Sequence, residues 1–236
     1  MYKNINDFEN ELKKLSKRGY IESLRSGDTG VGYTLESCLG IEENNVPFAD
    51  LGREIELKTF RKDSSSLLTL FTCEPQPAGG ERDRLLLEKF GYKKRQNSRQ
   101  KELYCTINSS TFNPQSLKLE AEKDRIKVIS NREAINIYWE GEYLRQRFIQ
   151  KMPQIIVVKA DAIINDNEHE AFHFNEAYYL KGFSFESFKS MIAGDIITVD
   201  FRMHLREAGT VRNHGTAFRI RKNRYEKCFQ ELIRLV

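Results

Sequence analysis

Arg53-Glu54-Ile55-Glu56-Leu57-Lys58-Thr59-Phe60 is the stretch on which the fold class turns. Ile55, Leu57 and Thr59 alternate with Glu54, Glu56 and Lys58, which is the period-two signature of a β-strand. Side chains two residues apart share a face, so Glu56 and Lys58 project together while Ile55 and Leu57 pack inward. Upstream, Val31, Leu35 and Leu39 repeat every four residues and predict a helix over 30–39, stopped by Gly40, with Glu36 beside its apolar stripe. Asp50 stands on the turn into the strand, after the polar segment 42–47. Downstream, residues 66–72 read as a neighbouring strand.

Working outward, Ile5, Phe8, Leu12 and Leu15 lie on one helical face, with Asp7 as a cap and Gly19 as the left-handed stop. Residues 74–80, holding Pro75, Pro77, Gly79 and Gly80, form the clearest loop and a lobe boundary. A helix is expected over 82–90, then a basic loop over 91–101. Strands are expected at 116–120, 125–129, 135–139, 155–163, 177–180, 196–203 and 216–221, with a helix over 185–192 closed by Gly194. Tyr225, Phe229 and Leu232 predict a C-terminal helix over 224–235. This is a mixed α/β chain with a largely antiparallel central sheet flanked by helices. It is organised as one bilobal unit, with residues 1–75 the first part of one lobe and 76–236 the remainder.

The chain has 236 residues, 39% hydrophobic and 31% charged, with 5 Pro and 14 Gly. That balance is globular, not fibrous or low-complexity. A chain of this length buries roughly three quarters of its unfolded surface and needs no staples. Its longest apolar runs, such as 155–158, fall far short of the ~20 residues of a membrane span. The N-terminus opens into a charged amphipathic stretch instead of a signal core. Cys38, Cys73, Cys105 and Cys228 show no metal-binding spacing, and reduced thiols in a cytoplasmic protein are the simplest account. Net charge is only +4, but it is unevenly spread. Residues 89–101 carry six basic residues and no acid, and 202–224 carry seven against Glu207 alone. Two such clusters could neutralise the phosphates of a nucleic acid.

Glu36, Asp50, Glu56 and Lys58 are the constellation that carries chemistry. Two clustered carboxylates repel unless a cation neutralises them. Their oxygens, with the carbonyl of Leu57 between them, are the hard ligands that Mg²⁺ prefers. Lys58 beside such an ion could orient or deprotonate water, and the ion could stabilise the charge of a pentavalent phosphate. A lone Glu-x-Lys, however, is usually a surface ion pair, and a carboxylate six residues upstream adds little.

The order of the whole stretch adds more. Gly27-Asp28-Thr29-Gly30-Val31-Gly32-Tyr33-Thr34-Leu35-Glu36, Glu43-Asn44-Asn45, Asp50-Leu51-Gly52 and Glu56-Leu57-Lys58-Thr59 resemble the catalytic segment of MutH-like PD-(D/E)XK nucleases. Leu67-Leu68-Thr69-Leu70-Phe71-Thr72 and Asn213-His214-Gly215-Thr216-Ala217-Phe218-Arg219-Ile220 resemble the MvaI/BcnI-type restriction endonucleases in particular. The likeness spans nearly the full chain. It implies a restriction-endonuclease-like core with a DNA-recognition lobe, and a type II deoxyribonuclease using Mg²⁺, with Mn²⁺ as a substitute. Asp50, Glu56 and the Leu57 carbonyl would then hold the metal, Lys58 would position the attacking water, and Glu36 would complete the site. The Asp50–Glu56 gap is one residue longer than the family's pattern, which a bulge would absorb, and Glu54 is the fallback carboxylate.

The same resemblance implies a monomer gripping a short duplex site flanked by C:G pairs. Arginine and lysine read guanine by paired bonds to O6 and N7. Base contacts are therefore expected among Arg202, Arg212, His214 and Arg219, with Lys93, Lys94, Arg221 and Lys222 on phosphates. Thr72 and the 214–220 string lie closer to the MvaI side of the family, which implies CC(A/T)GG over CC(C/G)GG. A methyltransferase is expected in the same system. The competing readings are a MutH-like repair nickase and a nuclease fold that binds DNA without cutting it. His169 and His173, four apart, belong to a polar helix start or loop, and Trp139, Phe183, Phe185 and Phe188 belong to the core.

Overall fold

The computed structural model describes residues 5–41, 55–63, 67–93, 100–152 and 154–236. In chain order it contains α1 (Ile5–Lys17), β1 (Ile21–Glu22), α2 (Gly30–Cys38), β2 (Ile55–Arg61), β3 (Leu67–Thr72), α3 (Gly80–Phe90) and β4 (Tyr92–Lys93). There follow β5 (Lys101–Ile107), β6 (Leu117–Ala121), β7 (Arg125–Ser130), β8 (Ile137–Glu140), α4 (Gly141–Lys151), β9 (Gln154–Ile164) and β10 (Glu170–Lys181). The chain ends with α5 (Phe185–Ala193), β11 (Ile197–Leu205), β12 (Val211–Asn213), β13 (Ala217–Arg221), a short α6 (Lys222–Tyr225), a 3₁₀ turn (Glu226–Cys228) and β14 (Glu231–Arg234). The class is the mixed α/β expected from sequence: among the described residues every strand pairing is antiparallel except β2 with β9.

The chain divides into two compact units. One draws on Met1–Ser66, Gln150–Phe183 and Glu226–Val236, the other on Leu67–Ile149 and Ser184–Tyr225. In the first, the strands run β1-β10-β9-β2, with β14 added to β10. Phe8, Leu12 and Leu15 of α1 and Val31 and Leu35 of α2, with Leu39 just beyond, pack on one face of this sheet against Leu57, Ile156, Val158, Phe172 and Phe174. Each such side chain contributes roughly 1.5–3 kcal/mol by leaving water. Residues 155–158 are buried on both faces of the sheet, which is why they read as a continuous apolar run instead of an alternating one.

The second unit holds a six-stranded sheet, β3-β13-β11-β5-β4 with β12 on β11, and a three-stranded sheet, β6-β7-β8. Its centre is aromatic. Phe218 meets Phe71 at 5.0 Å, Phe188 at 5.2 Å and Trp139 at 5.3 Å between ring centroids. The Trp139 indole N–H donates to the Cys73 carbonyl at 3.0 Å, so its one polar atom is satisfied. Helix α5 is capped by Ser184, whose hydroxyl accepts from the Ser187 N–H at 3.1 Å. All four cysteines are free thiols, and burial pushes Cys73 up to about 11 and Cys105 and Cys228 up to about 12.

Three local expectations are corrected. The C-terminal stretch is not one helix: after α6 and the 3₁₀ turn it extends as β14, because β10 offers an edge whose Leu180 and Lys181 pair with Leu232 and Glu231. Strand β5 and helix α4 occupy segments in which no element was foreseen. His173 lies inside strand β10, not in a helix start, and its Nε2 meets the Ser16 carbonyl at 2.9 Å. His169 sits in the β9–β10 hairpin with Nδ1 2.8 Å from Glu22. The two histidines therefore face different partners and form no pair.

Candidate active site

The first unit brings Glu56, Leu57 and Lys58 together on β2, which is the edge strand of its sheet among the described residues. Leu57 points into the core beside α2, and Glu56 and Lys58 project from the opposite face. There the Lys58 ammonium donates to Glu56 Oε1 at 2.5 Å, with both side chains about four-fifths shielded from water. A charge-assisted bond of this length in a half-buried setting holds the ammonium and the carboxylate in one place. The Lys62 N–H donates to the Ala160 carbonyl at 2.9 Å. Hydrogen bonding alternates along a strand, so residues 58, 60 and 62 engage β9 and the Leu57 carbonyl turns toward the outer edge of β2. A carboxylate and a carbonyl at one strand edge are the hard oxygen donors a divalent cation takes. Asp50, Glu54 and the motif segments at 43–45 and 50–52 lie outside the described residues. Among the described residues no group of three or more His, Cys, Asp or Glu side chains converges.

Glu36 is half-buried on α2, the helix packed on the Leu57 face of β2. The entry to that helix is tightly built. Gly30 begins it where a Cβ would stand 2.2 Å from the Arg25 carbonyl oxygen, so no other residue fits. The Thr34 hydroxyl accepts from the Leu24 N–H at 3.0 Å. Arg61, at the end of β2, clamps Glu170 with two bonds of 2.5 and 2.6 Å and donates to the Gly27 and Asp28 carbonyls at 3.0 and 3.3 Å. The Glu170 bonds hold the Arg61 pKa above its ordinary value. The strand bearing Glu56 and Lys58 is thereby tied to the loop that launches the Glu36 helix.

On the same face as Lys58, β9 presents Lys159. Burial works against its charge, but Glu176 at 2.7 Å and Glu226 at 2.5 Å outweigh it and raise its pKa. Lys62 pairs with Asp161 at 3.1 Å. These lysines are neutralised by carboxylates of their own.

The second unit carries most of the basic candidates on the outer face of its large sheet. Strand register places Arg202 and His204 of β11 beside Tyr104 and Glu102 of β5, and His204 opposite Arg212 of β12. The His204 Nδ1 lies 3.3 Å from both the Tyr104 hydroxyl and His214 Nε2. Arg202 donates to the His214 and Gly215 carbonyls, each at 3.3 Å. Burial, then the neighbouring Arg212, His204, Arg202 and Arg206, hold the His214 pKa below its ordinary value. Arg219 shares this face but is engaged within the sheet, donating to Asp200 at 2.7 Å and to the Leu67 carbonyl at 2.6 Å. Lys93 is exposed on β4, Arg221 is exposed at the end of β13, and Lys222 opens α6. Lys94 lies outside the described residues. Tyr104 and His204 have no role in the sequence reading. The signal for Tyr104 was the alternation Leu103, Cys105, Ile107 against Glu102, Tyr104, Thr106, which the adjoining basic run obscures.

No curated protein sequence matches the chain. The solved structure of restriction endonuclease MvaI in complex with its cognate DNA substrate is 26% identical, covers the whole of both chains and superposes with a TM-score of 0.81. That of MvaI in the absence of DNA is 25% identical, covers 100% of this chain and 99% of the other, and gives 0.61. The model of the MvaI/BcnI restriction endonuclease family matches residues 9–229, and the chain belongs to that family.

Proposed function

We propose that the chain is a type II restriction endonuclease that hydrolyses one phosphodiester in each strand of duplex DNA at a short site flanked by C:G pairs, CC(A/T)GG. The observation that carries this is the shielded Lys58–Glu56 pair at 2.5 Å, beside an outward Leu57 carbonyl, in a member of a restriction endonuclease family. A similar structure holding cognate DNA supports duplex DNA as the partner. Glu56, Asp50 and the Leu57 carbonyl would hold Mg²⁺, with Mn²⁺ as a substitute. When bound, such an ion acidifies water and offsets charge on the phosphate. Lys58 orients the attacking water from its fixed place against Glu56, and Glu36 completes the acidic set. The first unit serves as the catalytic lobe. In the second, Arg202, Arg212 and His214 read bases, with Arg219 supporting that face, and Lys93, Lys94, Arg221 and Lys222 meet phosphates. The enzyme acts as a monomer in the cytoplasm, alongside a methyltransferase that protects host sites.

Plasmid cleavage with Mg²⁺ tests this, with the ends mapped by sequencing. Wild type should give fragments ending at one recurring site, through a nicked circle when enzyme is limiting. EDTA should abolish cutting, and Lys58→Ala should slow it by about 10²–10⁴-fold while retaining salt-sensitive duplex binding. Intact plasmid with wild type, or equal cutting by the mutant, would refute the assignment. Nicking of one strand alone would favour a repair nickase.

A further inference from the structure

Behind the proposed DNA-reading face lies a charge network, buried at Arg82 and Asp83 and more open at Glu74, that the catalytic reading does not use. Arg82, at the start of α3, is 5% exposed and its neighbour Asp83 8%. Arg82 donates to Asp83 Oδ1 from two nitrogens at 2.8 and 2.5 Å, to Glu74 Oε2 at 2.8 Å and to the Pro75 carbonyl at 2.5 Å. Two carboxylates so surround one guanidinium. Taking such charges out of water costs several kcal/mol per ion, and apolar residues of similar volume usually serve stability as well or better. What the network does supply is geometry. Glu74 accepts from the Thr216 N–H at 2.7 Å and hydroxyl at 3.0 Å, and from the Asn213 amide at 3.0 Å. The same Asn213 amide reaches Asp83 at 3.2 Å.

These bonds grip both ends of the turn Asn213-His214-Gly215-Thr216. Inside it, Asn213 Oδ1 accepts from the Gly215 N–H at 2.8 Å, with Gly215 in the left-handed region at φ 91°. The turn is joined in its turn to β11: the His214 N–H donates to the Arg202 carbonyl at 2.8 Å, and the Arg202 guanidinium donates back to the His214 and Gly215 carbonyls. A shift of the turn therefore moves the His214 ring and the Arg202 fork together.

We propose that Glu74, Arg82, Asp83 and Asn213 are positioning residues for base discrimination, setting the His214 ring and the Arg202 fork against the base edges. The proposal rests on the reading of this face as the DNA-reading surface. Paired bonds to a base edge demand placement within about 0.5 Å, whereas attraction to phosphates tolerates more. Loosening the turn therefore degrades discrimination more than overall cutting.

The test is the spectrum of cleavage ends on one plasmid for wild type, Glu74→Gln, Asn213→Ala, Thr216→Val and Arg202→Ala, with a thermal melt of each. Glu74→Gln can no longer accept all its donors, and Thr216→Val removes one hydroxyl from a buried position with little change of shape. The expected result is a rise of at least about tenfold in cutting at one-base variants relative to the main site, for Glu74→Gln and Asn213→Ala. A smaller rise is expected for Thr216→Val, which guards against misfolding of the other two. A lower melting temperature with an unchanged spectrum in all three variants would show a purely structural network and overturn the proposal, provided Arg202→Ala does broaden the spectrum. An unchanged spectrum in Arg202→Ala as well would instead overturn the reading of the face itself, as would a wild type that cuts nowhere.

Discussion

At the scale of one ring, His214 turns the charge of its surroundings into a measurable pH dependence. Burial and then Arg212, His204, Arg202 and Arg206 disfavour its imidazolium, so its pKa lies below that of a free histidine. The other titratable groups on that face are Tyr104 and Glu102 of β5 and the Arg219–Asp200 pair, in which each charge is answered by the other. For folding, the unfolded chain takes up this proton first as pH drops, so the ring's contribution to stability is present above the ordinary histidine range and is lost as pH falls through it. For DNA the sign reverses. Under the proposed binding mode the negative potential of the duplex over this face counters the arginines and favours the His214 imidazolium, so binding takes up a proton. Duplex affinity should then rise as pH is lowered from about 8 to 6, by less than the roughly tenfold per pH unit that uptake of one full proton would give. His214→Ala should flatten that slope while keeping the dependence on salt. Binding isotherms across this range check it, and a wild-type affinity that is flat with pH would refute it.

Among the elements, the contact on which the proposed chemistry depends most is between α2 and β2, and Arg61 is its clip. The Arg61 guanidinium binds Glu170 of β10 and the carbonyls that precede α2. Removing it frees the entry loop of the Glu36 helix without touching Glu56 or Lys58. Groups that hold metal or catalytic residues from behind typically matter by about 10- to 100-fold. Arg61→Ala should therefore lower kcat by about that factor and leave duplex affinity near wild type, and single-turnover cleavage set beside a binding assay separates the two. An unchanged kcat would show that the clip serves folding alone. Arg61 was invisible as a functional residue in the sequence because its partner Glu170 lies 109 residues away. The strand before it was legible, since the alternation in 55–60 is local. So was α2, whose Val31, Leu35 and Leu39 repeat at helical spacing. Strand β14 was misread for the opposite reason. Tyr225, Phe229 and Leu232 also have helical spacing, but Tyr225 and Phe229 are buried while Leu232 is 46% exposed, and the edge of β10 decides the outcome. Helix α4 was missed because only Leu144 and Phe148 of its eleven residues are buried, too thin a stripe to stand out from polar neighbours.

For the molecule as a whole, neither unit is a continuous piece of chain, and the loop at 74–80 therefore marks no point at which the protein can be divided. Composition and loop signals are local, whereas membership of a unit depends on strand partners far away: β2 pairs with β9, and β3 with β13. The magnitudes decide what a cut there would do. Of the first unit's core cluster, Phe8, Leu12, Leu15, Val31, Leu35, Leu39 and Leu57 come from residues 1–75. At roughly 1.5–3 kcal/mol each, their removal matches or exceeds the net stability of about 5–15 kcal/mol that a whole domain possesses. The second unit loses β3, and with it Leu70 and Phe71, both buried and the latter stacked on Phe218. Fragments 1–75 and 76–236 should therefore each lack a cooperative thermal transition when made separately, and co-expression should restore both the transition and Mg²⁺-dependent cleavage. Circular dichroism melts of each fragment and of the co-purified pair make the comparison. A sharp melt of fragment 76–236 alone would mean that the second unit folds without β3, and that its own core, centred on Trp139 and Phe188, is sufficient.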